Sequence, residues 1–285
     1  MRRHRYLYKA LHHKSFLLWL FLAVLLILVP IAAPILAPND PLAADYGSSM
    51  NPGNRQYPFG TDQIGRCILS RLIYGGRTSL LIIFWVIAII AVVGILLGIV
   101  AGYCGGWVDM LITRLTDIVM AIPSTVFIIA FVSVLGPGLH HTVLAMSLVG
   151  WTEYCRVSRA LVLSVKENHY VEQARMGGLN DFQVIQRVIL PNVSPYLLVN
   201  ITQDIGSQLL ILSGLSLLGL SSQPPTPEWG FMLSEGRKYI QAAPWLIIYP
   251  GLVIVLHVVI FNLLGDSLRD ILDPRYEGKK KRRKL

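Results

Sequence analysis

Residues 166–191 read KENHYVEQARMGGLNDFQVIQRVILP and form a polar segment between two long apolar runs. Asn168 predicts the start of a short helix, because an asparagine side chain accepts a hydrogen bond from the free amides of a first helical turn. The helix is expected to run to about Met176, where Gly177-Gly178 supplies the left-handed residue that ends many helices.

A second helix is predicted directly after this glycine turn. Asp181 is expected to cap it, and its apolar residues recur on one face at helical spacing: Val184, Ile185, Val188 and Ile189. Pro191 is expected to end it, because proline lacks an amide hydrogen and clashes with the preceding turn. Two packed helices are more order than a connector between membrane spans needs, although a passive interfacial loop is the simpler alternative.

The composition points to a membrane protein. The chain has 285 residues, of which 54% are hydrophobic and only 14% are charged, whereas soluble domains carry about 25% charged residues. With a mean hydropathy of +0.56, its apolar surface is too large for a water-soluble core, so the bilayer is the expected solvent. The three cysteines form no C-x-x-C pair, which supports neither a disulfide framework nor a zinc site.

The net charge of +9 is concentrated at the two ends, before the first apolar run and in Lys279–Lys284. Basic segments of this kind favour the cytoplasmic side of a membrane, where they face anionic lipid. We prefer this interpretation to nucleic-acid binding, because nothing else in the chain supports a nucleic-acid partner.

Six apolar runs are long enough to cross a bilayer, at about 16–36, 80–101, 118–135, 142–163, 196–220 and 245–265. Six spans place both termini on one side, and the basic ends make that side cytoplasmic. The predicted fold is therefore an all-α, polytopic membrane protein with six transmembrane helices.

The predicted organisation has five parts: a cytoplasmic basic N-terminus (1–15), a first transmembrane helix (16–38), an external loop with a short helix (39–78), a five-helix transmembrane domain (79–266) that includes a cytoplasmic loop (164–195), and a basic cytoplasmic tail (267–285). The short external helix is expected to begin at Thr61 or Asp62 and to end at Gly75-Gly76. The chain has no G-x-x-x-x-G-K-[ST] stretch, so it carries no phosphate-binding loop of its own.

The cytoplasmic loop resembles the EAA motif of permease subunits of ABC importers. The matching stretches are Glu172-Gln-Ala-Arg-Met-Gly-Gly178 and Val188-Ile-Leu-Pro191, with Gln173 in place of the usual alanine. The resemblance implies that this loop docks into a cleft of a separate ATPase subunit. The residues expected to couple the two proteins are Glu172, Ala174, Gly178, Leu190 and Pro191. ATP and Mg would then bind the partner subunits, and this chain would bind no cofactor and would not be an enzyme.

Further stretches resemble the peptide/nickel permease family, and the likeness covers about residues 16–276. They are Gly60-Thr-Asp-x-x-Gly-Arg66 (with Cys67 in place of the usual aspartate), Gly105-Gly-x-x-Asp109, Glu228-Trp-Gly230 and Asn262-Leu-x-Gly-Asp266. The resemblance is to the "C" permease of dipeptide, oligopeptide and nickel importers and implies the type I ABC importer permease fold. Its implied partners are a second homologous permease subunit, two ATP-binding subunits and an extracytoplasmic substrate-binding protein, in a bacterial-type cytoplasmic membrane.

The sequence alone does not identify the cargo. Dipeptides or oligopeptides are the first choice, and nickel or a metal chelate is the alternative. Two other classes are weaker: a channel would need a pore-lining ring or filter, and an intramembrane enzyme would need paired catalytic groups, and neither pattern is evident. No metal site is predicted.

Two further sets of residues are candidates for contact with substrate or binding protein. Candidates for the translocation path are Asp204, His257 and Arg156, since polar groups inside spans are often functional. A hydrogen bond or salt bridge to a neighbouring helix is the alternative for Asp204, and a hydrogen-bonded position in the bundle is the alternative for His257. For Arg156 the alternative is an i, i+3 pair with Glu153. Candidates for the external entrance are Thr61, Asp62 and Arg66, with a structural cap over the bundle as their alternative.

Overall fold

The computed structural model describes residues 9–272. Within this range the chain is all-α, as predicted, apart from one isolated β-bridge between Thr61 and Cys67. Besides a helical stretch at residues 9–12, the described residues form these α-helices: α1 (Lys14–Ile31), α2 (Ala33–Leu36), α3 (Ile68–Cys104), α4 (Gly106–Met120), α5 (Ser124–Leu135), α6 (Leu139–Lys166), α7 (His169–Met176), α8 (Asp181–Val184), α9 (Leu190–Leu217), α10 (Trp229–Gly236) and α11 (Trp245–Leu272). The basic ends predicted to be cytoplasmic lie largely outside the described residues.

Three of the described helices, α1, α3 and α11, are both long and apolar enough to cross a membrane, and the pair α4–α5, bent by 77°, counts as a fourth span if it is taken as one. The other two predicted spans correspond to α6 and α9, each of 28 residues. At 1.5 Å per residue they are about 42 Å long, which exceeds the ~30 Å hydrocarbon core. They carry more polar side chains than the first three, and these are described below.

The largest helix contact in the bundle joins α3 to α6. Gly94, Gly98 and Gly102 recur every fourth residue along α3, on the side that faces α6. A Cβ at any of these positions would overlap a backbone carbonyl oxygen of α6. Small residues at this spacing allow two helix backbones to approach closely and make extensive van der Waals contact. Such contact matters in a membrane because lipid is as apolar as the side chains, so no hydrophobic effect drives the helices together. This glycine stripe fixes α3 and α6 as a pair.

The prediction of a short external helix that ends at Gly75-Gly76 is wrong. The structure has one helix, α3, that begins at Ile68 and continues through both glycines into the membrane. The indole of Trp229 packs against them, and its Nε1 donates a hydrogen bond of 2.8 Å to the carbonyl oxygen of Leu72. The glycine pair therefore makes room for a tryptophan and does not end a helix.

The prediction that Pro191 ends the second loop helix is also wrong. Residues 181–217 are helical without a break, since a π-helical turn (Ile185–Ile189) joins α8 to α9. Pro191 lies in the first turn of α9, where its missing amide hydrogen is tolerated. The wider π turn just before it changes the hydrogen-bond register and so removes the conflict with an upstream carbonyl.

Candidate functional site

The loop between α6 and α9, which we term the coupling loop (residues 167–189), is built from local hydrogen bonds. Asn168 occupies the N-cap position of α7 but makes no capping bond there. Its side-chain amide instead donates to the carbonyl oxygens of Ser164 and Val165, at 2.9 and 3.0 Å. The predicted cap residue therefore closes the C-terminus of α6, and the helix after it starts as predicted.

The end of α7 is the predicted glycine turn. The amide of Gly178 donates to the carbonyl of Arg175, and the amide of Leu179 donates to that of Ala174. This pair of bonds is the Schellman arrangement, which needs a left-handed residue at its centre. Gly178 supplies it with φ +86°, and the position where a Cβ would lie is open, with nothing within 4 Å. Within this chain the glycine is required by its backbone conformation alone.

The second loop helix, α8, has a different cap from the predicted one. Asn180 is its N-cap, and Asn180 and Gln183 bond reciprocally to each other's backbone amides at 2.9 and 3.1 Å. Asp181 is therefore the first helical residue. Its carboxylate accepts a hydrogen bond of 2.5 Å from the hydroxyl of Tyr103, at the C-terminal end of α3.

A small apolar core holds the coupling loop against the bundle. Val171, Val184 and Ile189 are at most 1% exposed. They belong to a cluster with residues from the ends of α3, α6 and α9 next to the loop: Ile99, Tyr103, Val162, Val193 and Leu197. The predicted apolar face of the second helix is confirmed, and the loop is a packed unit of the bundle.

The outer face of the coupling loop exposes most of the predicted coupling residues. Glu172, Gly178 and Pro191 are exposed, Leu190 is 38% exposed, and Ala174 is half-buried. Glu172, Ala174 and Gly178 lie on α7 and its end, whereas Leu190 and Pro191 begin α9 after the π turn.

Two large apolar side chains of the coupling loop are also exposed, Met176 at 86% and Phe182 at 71%. They lie on a loop that is predicted to face the cytoplasm, where large exposed apolar side chains favour a protein interaction site.

A polar cavity of about 250 Å³ opens between α6, α9 and α11. Asp204 lies near the middle of α9, and its carboxylate accepts bonds from the Tyr154 hydroxyl (3.1 Å) and the Gln208 amide (3.2 Å). The predicted hydrogen bond to a neighbouring helix is thus present, and Asp204 also lines a cavity. The other lining residues are Glu153, Tyr154, Val157, Asn200, Gln203, Ser207 and Asn262.

This polar face does not suit lipid. Glu153 and Ser207 are exposed near the middle of 28-residue helices, and a charged side chain at mid-membrane costs several kcal/mol against hydrocarbon. By contrast, a groove of about 1000 Å³ on another face, between the outer halves of α3 and α6, is almost wholly apolar. The chain therefore has one face that needs protein or water beside it and one that suits lipid.

The remaining path candidates do not line the polar cavity. Arg156 bonds to Asp117 at 3.2 Å, and no Glu153–Arg156 ion pair is present among the described residues. His257 is 3% exposed and packs on Trp229 with ring centroids 4.5 Å apart, so it does not lie on the polar face. Within residues 9–272 no group of three or more His, Cys, Asp or Glu is arranged to hold a metal ion.

The external candidates lie inside the protein. Thr61, Asp62 and Arg66 are at most 4% exposed. Arg66 binds Asp62 at 2.6 Å and Glu235 at 2.9 Å, and Arg71 binds Glu235 at 2.7 Å. We term Asp62, Arg66, Arg71, Glu235 and the hydrogen-bonded Gln63 the outer charge network. It ties the external loop and the start of α3 to α10, so these side chains cap the bundle and present no contact surface of their own.

Three residues with central contacts were not among the sequence candidates. Arg71 and Glu235 complete the outer charge network, and Tyr103 holds the coupling loop. For Arg71 and Glu235 the sequence offers one signal: both are charged residues in a mostly apolar chain, and a charge that becomes buried needs an opposite partner. Tyr103 gave no such signal, since a tyrosine near a membrane end is ordinary.

The geometry defines a class: a multi-pass membrane protein with a packed loop between two long helices and a polar face within the bundle. Residues 94–278 match the family model described as "Binding-protein-dependent transport system inner membrane component". The chain belongs to this family, and it is therefore a permease component in which no enzymatic activity is expected.

The curated relatives agree over nearly the full length. The chain is 41% identical over 269 residues to the dipeptide transport system permease protein DppC of Haemophilus influenzae, covering 92% of this chain and 91% of the relative. It is 40% identical over 273 residues to the di/tripeptide transport system permease protein DppC of Pseudomonas aeruginosa, covering 94% and 90%. It is also 40% identical over 256 residues to the glutathione transport system permease protein GsiD of Escherichia coli, covering 90% and 84%.

The fold is that of known ABC importer permeases. An inward-facing structure of the MetNI methionine ABC transporter matches with a TM-score of 0.58 and 17% identity, covering 72% of this chain and 98% of the matched chain. At this identity the likeness concerns the fold alone, and it confirms the predicted type I ABC importer permease fold.

Proposed function

We propose that the chain is one of two permease subunits of an ATP-driven importer that carries dipeptides and other short peptides into the cell. The cargo follows from the relatives, whose names specify dipeptides, di/tripeptides and glutathione. Nickel or a metal chelate is not favoured, since the peptide-named relatives are similar over nearly the full chain.

The observation that carries the coupling role is the coupling loop itself. It is fixed to the bundle by Val171, Val184 and Ile189 and exposes Met176 and Phe182 outward. A rigid loop with an apolar outer face can pass a movement of a bound partner to the spans, which a mobile connector cannot. The proposed partner is an ATP-binding subunit, one of two, on which ATP and Mg bind and hydrolysis occurs.

The polar face supports a second permease subunit. Glu153, Asp204 and Ser207 lie on it at mid-membrane depth, so a homologous permease or a water-filled path must cover it. In this arrangement peptides, delivered by an extracytoplasmic binding protein, cross between the two permeases as the pathway opens alternately outward and inward. Both termini and the coupling loop then lie in the cytoplasm of a bacterial-type cell.

The test compares two glycine variants in the co-expressed transporter. Gly178→Arg and Gly219→Arg place the same side chain at two matched helix ends, because φ is +86° and +77° and both positions are open. Both glycines lie in a Schellman turn, which at Gly219 is formed by the bonds from Gly219 to Ser216 and from Leu220 to Leu215. Only Gly178 lies on the coupling loop. We expect Gly178→Arg to insert normally but to lose the ATP-binding subunits on purification and to lose peptide uptake, whereas Gly219→Arg keeps the ATP-binding subunits. Robust ion flux through the chain alone, or full uptake by Gly178→Arg, contradicts the proposal.

A further inference from the structure

Tyr103 occupies the last turn of α3, where the membrane helix meets the coupling loop. It is 6% exposed and belongs to the apolar core that includes Val162 of α6 and Val171 of α7. A phenylalanine would fill the same volume with the same apolar contacts. A change of Tyr103 to phenylalanine therefore removes the hydroxyl group without changing the packing.

The side chain of Tyr103 is contacted from three elements of the loop region. Its hydroxyl donates to the Asp181 carboxylate of α8 at 2.5 Å. The guanidinium of Arg175, on α7, lies 5.3 Å from the ring centroid, and the ammonium of Lys166, at the end of α6, lies 5.6 Å from it. Lys166 also donates to the Tyr103 carbonyl oxygen at 2.6 Å. Cations over an aromatic face add attraction to the hydrogen bonds.

The bond between Tyr103 and Asp181 is charge-assisted, and such bonds are shorter and about twice as strong as neutral ones. Asp181 is available for it because Asn180 performs the capping of α8. Arg175 is always protonated, and its guanidinium also lies 3.9 Å from the Asp181 carboxylate. These contacts join α7, α8 and the end of α6 to one residue of α3.

The helix that Tyr103 ends is unusually long. α3 has 37 residues and is therefore about 55 Å long. Its other end carries Arg71 of the outer charge network, and the glycine stripe binds its inner half to α6. A displacement applied at Tyr103 therefore reaches the outer side of the protein through one continuous helix.

We propose that Tyr103 is a positioning residue that fixes the coupling loop relative to α3, so that loop movement is passed to the membrane helices. The inference rests on the proposed function, because it concerns movement imposed by an ATP-binding partner. It adds the residue through which that movement enters the bundle.

The test measures coupling in the complete transporter, reconstituted in liposomes with its binding protein. Tyr103→Phe should lower the number of peptides imported per ATP hydrolysed several-fold, while the ATP-binding subunits remain bound. Asp181→Ala breaks the same bond at a residue whose side chain is 78% exposed, so it gives the same result without disturbing the core. Asp181→Ala also removes the Arg175–Asp181 ion pair of 3.9 Å, so the double variant should be no worse than Asp181→Ala alone.

Two comparisons separate positioning from general destabilisation. Asp181→Asn keeps an oxygen that accepts the tyrosine proton, so most of the coupling ratio should return. Tyr196→Phe removes a hydroxyl from a 50% exposed tyrosine of α9 and should change nothing. In the isolated permease, Tyr103→Phe should raise amide hydrogen exchange in residues 169–184 several-fold.

An unchanged coupling ratio and unchanged exchange in Tyr103→Phe and Asp181→Ala overturn the inference. Failure of the proposed function looks different: the unaltered chain would then bring down no ATP-binding subunits.

Discussion

Replacing Glu235 by glutamine should destabilise the outer side of the protein far more than breaking an exposed ion pair does. Glu235 accepts bonds from Gln63 and Arg66 on one carboxylate oxygen, both at 2.9 Å, and from Arg71 on the other, at 2.7 Å. In glutamine one of these oxygens becomes an NH₂ group. That NH₂ group would face another hydrogen-bond donor, and Arg66 and Arg71 would be left with the single negative charge of Asp62.

The size of the effect follows from burial. The side chains of Arg66 and Arg71 are 5% and 1% exposed, and that of Glu235 is 18% exposed. Removing one partner of a buried ion pair costs about 3–5 kcal/mol, because a charge is left uncompensated away from water. Because Glu235 is partly exposed, the expected loss of unfolding free energy is near the lower figure, about 3 kcal/mol. At about 2–4 °C per kcal/mol, Tm should fall by about 6–12 °C.

The assay is thermal unfolding of the purified permease in detergent, compared with Asp117→Asn. The Arg156–Asp117 bond is 3.2 Å long, but its side chains are 56% and 51% exposed. Exposed pairs contribute about 0–1 kcal/mol, so this control should scarcely change Tm.

A local readout comes from Cys67, which is buried at 1% exposure next to Arg66. In a chain whose other two cysteines are serine, a thiol reagent should reach Cys67 faster in Glu235→Gln. Equal Tm losses in the two variants, or unchanged labelling of Cys67, would refute the view that this network holds the external loop closed.

Two further predictions follow from the packing and from the polar face. Gly98→Ala should lower stability, because its Cβ would overlap the Cys155 carbonyl oxygen. Gly214→Ala has open space and should gain up to about 1 kcal/mol from the higher helix propensity of alanine. Thermal unfolding measures both changes in stability, and a loss of stability in both variants would contradict the close-contact explanation. Asp204→Asn keeps an acceptor for Tyr154 but removes the charge from the cavity, so peptide uptake should fall several-fold at unchanged Tm; normal uptake would remove Asp204 from the translocation path.

Local features of the fold could be predicted because their causes are local. Gly178 ends α7 since a left-handed residue is needed there, and that requirement is written within a few residues. The apolar face of Val184 and Ile189 is likewise a matter of helical spacing. The glycine stripe of α3 was not predicted, although small residues at four-residue spacing are a contact pattern of membrane helices that a sequence displays.

The errors arose where distant residues decide the outcome. The pair Gly75-Gly76 has the same local signal as the pair at Gly178, yet the helix continues through it because Trp229 packs there. Similarly, Tyr103 and Asp181 are 78 positions apart, and Arg71 and Glu235 are 164 apart. A single sequence does not contain these distances, so the candidate entrance residues could not be recognised as a buried network.

The contacts divide the bundle into two helix pairs. α3 packs most extensively on α6, and α9 on α11, while the contacts between the two pairs are fewer. Across the seam, Tyr154 of α6 donates to Asp204 of α9, and the polar cavity opens beside this bond. A movement that enters through Tyr103 acts first on α3 and, through the glycine stripe, on α6. It reaches α9 across a seam that is largely apolar, because residues of α3 such as Val86 and of α9 such as Leu209 share one buried core. The seam is polar only beside the cavity, where Tyr154 donates to Asp204. Separation at the cavity end therefore exposes less apolar surface than separation elsewhere along the seam, so we expect a movement that enters at Tyr103 to open the seam there first.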